Sequence, residues 1–232
     1  MAQSDDPGME SFISELLAGA KPLPEDLNLH LEPENSPFEA RGEWRICAYE
    51  VAVARALLEP MQFECRGNHC DEIACIACLP SFQPEWAVWV AGNRKTGFSV
   101  LLNEAEANIW YSAQLADEGP PPASKVKLYT CPLPSDRAIA ICDIWKGILS
   151  QIKHPEKPRL GCDGVYYHFS YWRPPSSSLA GKIWLPGKKT VPGRLAALGH
   201  ALGSYAQDEP NRDVFMTVIE DHLAWFSKNS YE

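Results

Sequence analysis

Between residues 73 and 102 the chain alternates apolar and polar positions with the two-residue period of half-buried strands. Ile73, Cys75, Ala77 and Leu79 mark the first strand, and the Trp86–Val90 run is rich in strand formers. Gly92–Gly97 is turn-forming and leads into Phe98–Leu102, so a hairpin is expected there. Asn103 stands where it would cap a helix carrying Ile109, Trp110 and Leu115. Upstream, Trp44, Cys47, Ala48, Val51 and Leu58 follow helical spacing over Glu43–Leu58, and Pro60 closes the pattern. Trp44, Ile46 and Ala48 also alternate, which leaves a strand open for the front of that segment.

After Gly119-Pro-Pro-Pro122, a short strand is expected over Val126–Thr130. A helix should follow from Ser135, its N-cap, to about Ile152, with Ile139, Cys142, Ile144, Trp145 and Leu149 as its apolar stripe. Gly164–Trp172 reads as an aromatic strand with Ile183–Leu185 as its neighbour. Two helices close the chain, near Pro192–Ala206 and Arg212–Ser227. The expected fold class is α+β, a mostly antiparallel sheet with helices packed on it and a C-terminal helical pair.

The segment before residue 43 breaks the pattern. Met9–Leu17 has the spacing of a short helix, and Pro22, Pro24, Pro33 and Pro37 then make the chain extended. The organisation is therefore an extended acidic segment over 1–42, an α+β half over 43–118 and a second α+β half over 123–232. The two halves belong to one continuous domain if Gly119–Pro122 is only a surface loop.

The chain has 232 residues and a net charge of −9, unevenly spread. Residues 1–120 carry 20 acidic and 7 basic side chains, whereas residues 121–232 carry 10 and 14. An acidic half repels nucleic acid and attracts a basic partner. No basic-then-apolar leader opens the chain, and no apolar run reaches about 18 residues. A cytoplasmic location is expected, with the eight cysteines reduced.

Cys65, Cys70, Cys75 and Cys78, with His69 beside the second, hold the ligand types that zinc prefers. Zinc modules bring two short cysteine pairs, and here Cys75 and Cys78 form one. A strand over 73–79 also sends those two thiols to opposite faces. Buried apolar thiols are the competing reading, which also fits Cys47, Cys131, Cys142 and Cys162.

Other chemistry is sparse. Gly187-Lys-Lys-Thr190 lacks the upstream glycine of a phosphate loop, since position 182 is lysine. A Cys162/His168 pair joins sequence neighbours, which seldom form a catalytic pair. Tyr166, Tyr167, Phe169, Tyr171, Trp172 and Trp184 lie near Arg173, Lys182, Lys188 and Lys189. Such interleaving suits single-stranded nucleic acid, but the acidic surplus opposes it.

From Cys162, the arrangement Asp163-Gly164, Tyr167, Phe169, then Gly181, Trp184, Pro186, then Leu195, Leu198, Leu202 resembles bacterial immunity proteins encoded beside type VI or contact-delivered toxins. It covers about the last seventy residues and contains no functional group. The resemblance implies a non-catalytic inhibitor that occludes the active site of one toxin, a nuclease among the possibilities. Glu32, Glu34, Glu39, Glu104, Glu106, Asp117 and Glu118 are the acidic candidates for contacting a basic toxin. A zinc-stabilised interaction module and an enzyme without a local motif are the alternatives.

Overall fold

A computed structural model describes residues 32–33, 49, 52–58, 70–114, 124–152, 164–173 and 177–229. Seven strands form one sheet: β1 (Glu32–Pro33), β2 (Glu72–Pro80), β3 (Trp86–Asn93), β4 (Gly97–Ala105), β5 (Val126–Leu133), β6 (Val165–Arg173) and β7 (Ser177–Trp184). Their order is β1-β7-β6-β2-β3-β4-β5, and each neighbouring pair is antiparallel. β2 pairs with β6 on one side and β3 on the other. Residues before and after Gly119–Pro122 therefore build the same sheet.

The two-residue period assigns every side chain to a face. Ala74 and Ile76, Val88 and Val90, Val100 and Leu102, and Phe169 and Tyr171 form one core. Over it lie α2 (Ser135–Leu149), α3 (Val191–Gln207) and α4 (Arg212–Lys228). The opposite face carries Ile73, Cys75, Ala77, Ala87, Trp89 and Leu101, covered by Ala52, Val53, Leu57, Leu58 and Ile109. Those covering residues come from the helical turn ending in Ala54–Leu58 and from α1 (Ile109–Gln114). Burial on both faces explains why β2 and β3 are apolar almost throughout.

The helices are placed by a few specific contacts. In α2, Trp145 is fully buried, its Nε1 donates to the Cys75 carbonyl at 3.1 Å, and its ring meets Phe169 edge-on at 6.0 Å. Losing such a ring costs about 3–5 kcal/mol. Thr190 caps α3 by accepting from the Gly193 N–H at 3.2 Å. α4 is an outer layer, with Ile219, His222 and Phe226 as its buried residues. At the β3–β4 turn the Asn93 carboxamide accepts from the Lys95 and Thr96 N–H groups, both at 2.8 Å. Gly97, at φ 95°, then returns the chain.

Two capping expectations are corrected. Asn103 is a buried strand residue of β4, and its Nδ2 donates to the Leu57 carbonyl at 2.7 Å. α1 begins after Asn108, whose side chain accepts from the Tyr111 N–H at 3.1 Å. Ser135 is the first helical residue of α2, with Pro134 as the cap and no side-chain cap bond. A proline suits that boundary because its fixed φ ends the strand and it needs no donor partner.

Candidate protein-binding surface

One end of the sheet gathers exposed apolar side chains on hydrogen-bonded backbone. The end of β2, the starts of β3 and β6 and the end of β7 meet there. The Ser81 N–H donates to the Gly164 carbonyl at 2.9 Å, and the Leu185 N–H donates to the Val165 carbonyl at 3.0 Å. The segments carrying Phe82 and Leu185 therefore flank the start of β6 on its two sides. Asn108 ties α1 to the same end, its Nδ2 donating to the Gln83 carbonyl at 2.8 Å. Phe82 is 66% exposed, Tyr111 48%, Leu185 47% and Tyr166 40%.

Leu185 is the unusual member. Its φ is +43°, the left-handed region that disfavours a side chain by about 1–2 kcal/mol. The residue is thus conformationally costly and half exposed, with its Cδ1 lying over Gly164. Lys188 and Lys189, exposed in the following turn, give this end a basic border.

Just inside it runs a polar chain assembled from three distant parts of the sequence. The Cys78 thiol is hydrogen-bonded to the Tyr167 hydroxyl. That hydroxyl meets His200 Nε2 at 3.0 Å, and the imidazole sits edge-on to Trp86 at 4.7 Å. Burial pushes the thiol up to about 12, raises the phenol and lowers the imidazole. All three groups are thus held neutral near pH 7, so the chain offers hydrogen bonding and no thiolate. It fastens α3 to β6.

At the opposite end of the sheet, Asp71, Glu72, Arg94, Phe98 and Arg173 line an open cleft of about 430 Å³. Arg173 Nη1 lies 3.6 Å from Glu72 Oε1, so much of its charge is answered within the cleft.

The candidates from the sequence are scattered. Glu104 sits on the helix-covered face of β4, directly opposite Lys127 of β5, and accepts from Gln207 Nε2 at 3.3 Å. Glu106 is exposed just beyond β4. Glu32 is in β1, in register with Lys182. Glu34, Glu39, Asp117 and Glu118 lie outside the described residues. Glu104 and Glu106 stand beside Lys125 and Lys127, so they do not make a purely acidic face.

Among the described residues the zinc set is not assembled as one site. Cys75 is hydrogen-bonded to Ser170 on the face covered by α1, whereas Cys78 reaches Tyr167 on the helix-covered face. Burial raises the Cys75 thiol far above its ordinary value. Cys70 is buried with the Cys75 core, and Cys65 lies outside the described residues. Among the described residues no group of three or more His, Cys, Asp or Glu is arranged to hold a metal ion. His168 lies on the face of β6 opposite α2, α3 and α4, and Cys162 is outside the described residues.

Sequence reasoning missed Phe82, Tyr111, Leu185 and the Cys78–Tyr167–His200 chain. The strand parity that joins Tyr167 with Phe169 and Tyr171 was the sole available signal for the polar chain. Phe82 is a lone aromatic in a turn and carries no pattern at all. Comparison of the chain with protein-family models, with curated proteins and with solved structures returned no match.

Proposed function

We propose that this chain is a non-catalytic, protein-binding inhibitor, an immunity protein that protects the cytoplasm from a cognate toxin. The observation that carries the binding role is Leu185, half exposed in a left-handed backbone and grouped with exposed Phe82 and Tyr166. Exposed aromatic and aliphatic side chains on hydrogen-bonded turns suit anchors that enter a partner's pocket. The acidic surplus of residues 1–120 would steer a basic partner, such as a nuclease, toward the molecule while the apolar end supplies the contact. Among the described residues no helix is long and apolar enough to cross a membrane.

The test has two stages. Tagged protein captures its partner from native cells, and the partner gene is then expressed alone and together with this chain. Toxicity alone and growth on co-expression are expected. A partner harmless by itself rejects the immunity reading. Phe82→Asp combined with Leu185→Asp should weaken binding by a hundredfold or more, on the order of two lost anchors, with the melting temperature kept. Undiminished affinity would move the interface elsewhere.

A further inference from the structure

β5 is an edge strand, and among the described residues it pairs with β4 alone. The Glu106 N–H donates to the Lys125 carbonyl at 2.9 Å, which fixes which residues turn their backbone toward β4. Hydrogen-bonded and non-hydrogen-bonded pairs alternate along an antiparallel ladder. Lys127, Tyr129 and Cys131 therefore face β4, and Val126, Leu128 and Thr130 point their N–H and C=O groups outward. Pro132 belongs to the outward set, has no N–H, and its carbonyl accepts from the Tyr205 hydroxyl at 3.1 Å. The open edge is thus three residues long, and Leu128 at its centre is 51% exposed.

We infer that this edge pairs with the same edge of a second copy, antiparallel, about a two-fold axis at Leu128. In that register Leu128 faces Leu128, Val126 faces Thr130, and Lys127 faces Tyr129. About six backbone hydrogen bonds form across the dyad. No like charges stand opposite, and Lys127 keeps Glu104 beside it on β4.

The neighbouring two-fold registers fail for physical reasons. An axis at Lys127 sets Lys127 opposite Lys127, an axis at Val126 sets Lys125 opposite Lys127, and like charges directly opposed destabilise a strand pair. An axis at Tyr129 sets Val126 opposite Pro132, and an axis at Thr130 sets Leu128 opposite it; proline has no donor to give. Lysine and proline usually guard an edge against any pairing. Here they bracket three free residues and favour the register centred on Leu128, in which all three find full backbone partners. Leu128, rather than a charge, occupies the position that the axis would cover.

Sedimentation equilibrium of the full chain over a range of concentrations tests this. A reversible dimer is expected for the wild type. Leu128→Pro, which deletes the central donor, and Leu128→Asp, which opposes two carboxylates, should each give monomer with an unchanged melt at low concentration. An equimolar mixture of Leu128→Asp and Leu128→Lys chains should dimerise again, because each carboxylate then meets an ammonium. A wild-type monomer at every concentration overturns the inference, and so does a dimer that survives both single variants. Failure of the mixed pair, where the wild type dimerises, also rejects the axis at Leu128.

Discussion

Gly199 of α3 lies so close to Ile76 of β2 that a Cβ at position 199 would stand 2.6 Å from Cδ1 and 2.8 Å from Cγ2 of the isoleucine. Both residues are buried in the larger core. The contact brings α3 down across the middle of the sheet and carries His200 to Trp86 and Tyr167.

Gly199→Ala should therefore destabilise the protein, although alanine is the better helix former by about 1 kcal/mol. Overpacking of this kind costs about 1–3 kcal/mol, more than the propensity returns. Pairing it with Ile76→Val removes Cδ1 and should recover part of the loss. Denaturant melts of the two single variants and the double variant measure the coupling, and strict additivity would reject the contact as the cause.

Glu85 joins β3 to α1 through its carboxylate. Oε2 accepts from the Ile109 N–H at 2.7 Å, and Oε1 accepts from the Trp110 N–H at 3.1 Å and the Tyr49 hydroxyl at 3.2 Å. Glu85→Ala should cost about 2–4 kcal/mol by stranding those donors, and Glu85→Gln should cost less. Burial raises the Glu85 carboxyl above its ordinary value, and the donated hydrogen bonds pull it partway back. A raised folded-state value means stability that is present below the unfolded value and lost as pH rises through the folded one. The wild type should accordingly gain on Glu85→Gln as pH falls toward about 4.5. Thermal melts across that range give the slope, and a slope of the opposite sign would reject the reading.

His222 behaves in the opposite sense. Its Nδ1 is buried without a hydrogen bond. Burial lowers the imidazole below its ordinary value, Arg194 of α3 lowers it further, and neighbouring Asp221 opposes both. A depressed folded-state value contributes stability above the unfolded value of about 6.5, lost as pH falls through the folded one. His222→Leu should therefore flatten the decline in melting temperature between about pH 7 and pH 5. Identical pH profiles for the variant and the wild type would remove His222 as a contributor.

The buried thiols should be inert in the native state. Burial pushes Cys78 and Cys142 up to about 12 and also raises Cys75 and Cys131. Since the thiolate is the reactive form, alkylation at about pH 8 should label these four after denaturation and leave them unlabelled before it. Mass spectrometry of the digested protein identifies the modified residues. Rapid native labelling of Cys75 or Cys78 would contradict the burial described.

The strands and helices were legible because each carries its period in adjacent residues. Ile73–Leu79 alternates, and Leu195, Leu198 and Leu202 repeat at helical spacing; both patterns follow from burial of one face, which local order can record. Even the separation of Cys75 from Cys78 followed from parity within one strand. Caps were less legible. Asn103 and Ser135 have the right residue types for N-caps, but a buried carbonyl at Leu57 and a proline at 134 occupy the relevant geometry instead.

The β3–β4 and β6–β7 pairings were legible in the sequence, but the tertiary structure alone decided how they are ordered in the sheet. β6 enters the sheet between β7 and β2, which puts Tyr167 beside Cys78 and His200, and no run of residues encodes that adjacency. The same insertion sets Phe82 and Leu185 on either side of the start of β6. It leaves β5 at the edge with Leu128 exposed. Local sequence determined the elements and their buried faces, since side-chain period is a property of the backbone itself. The order of strands is a property of the packed whole, because it is set by which apolar faces can be covered together.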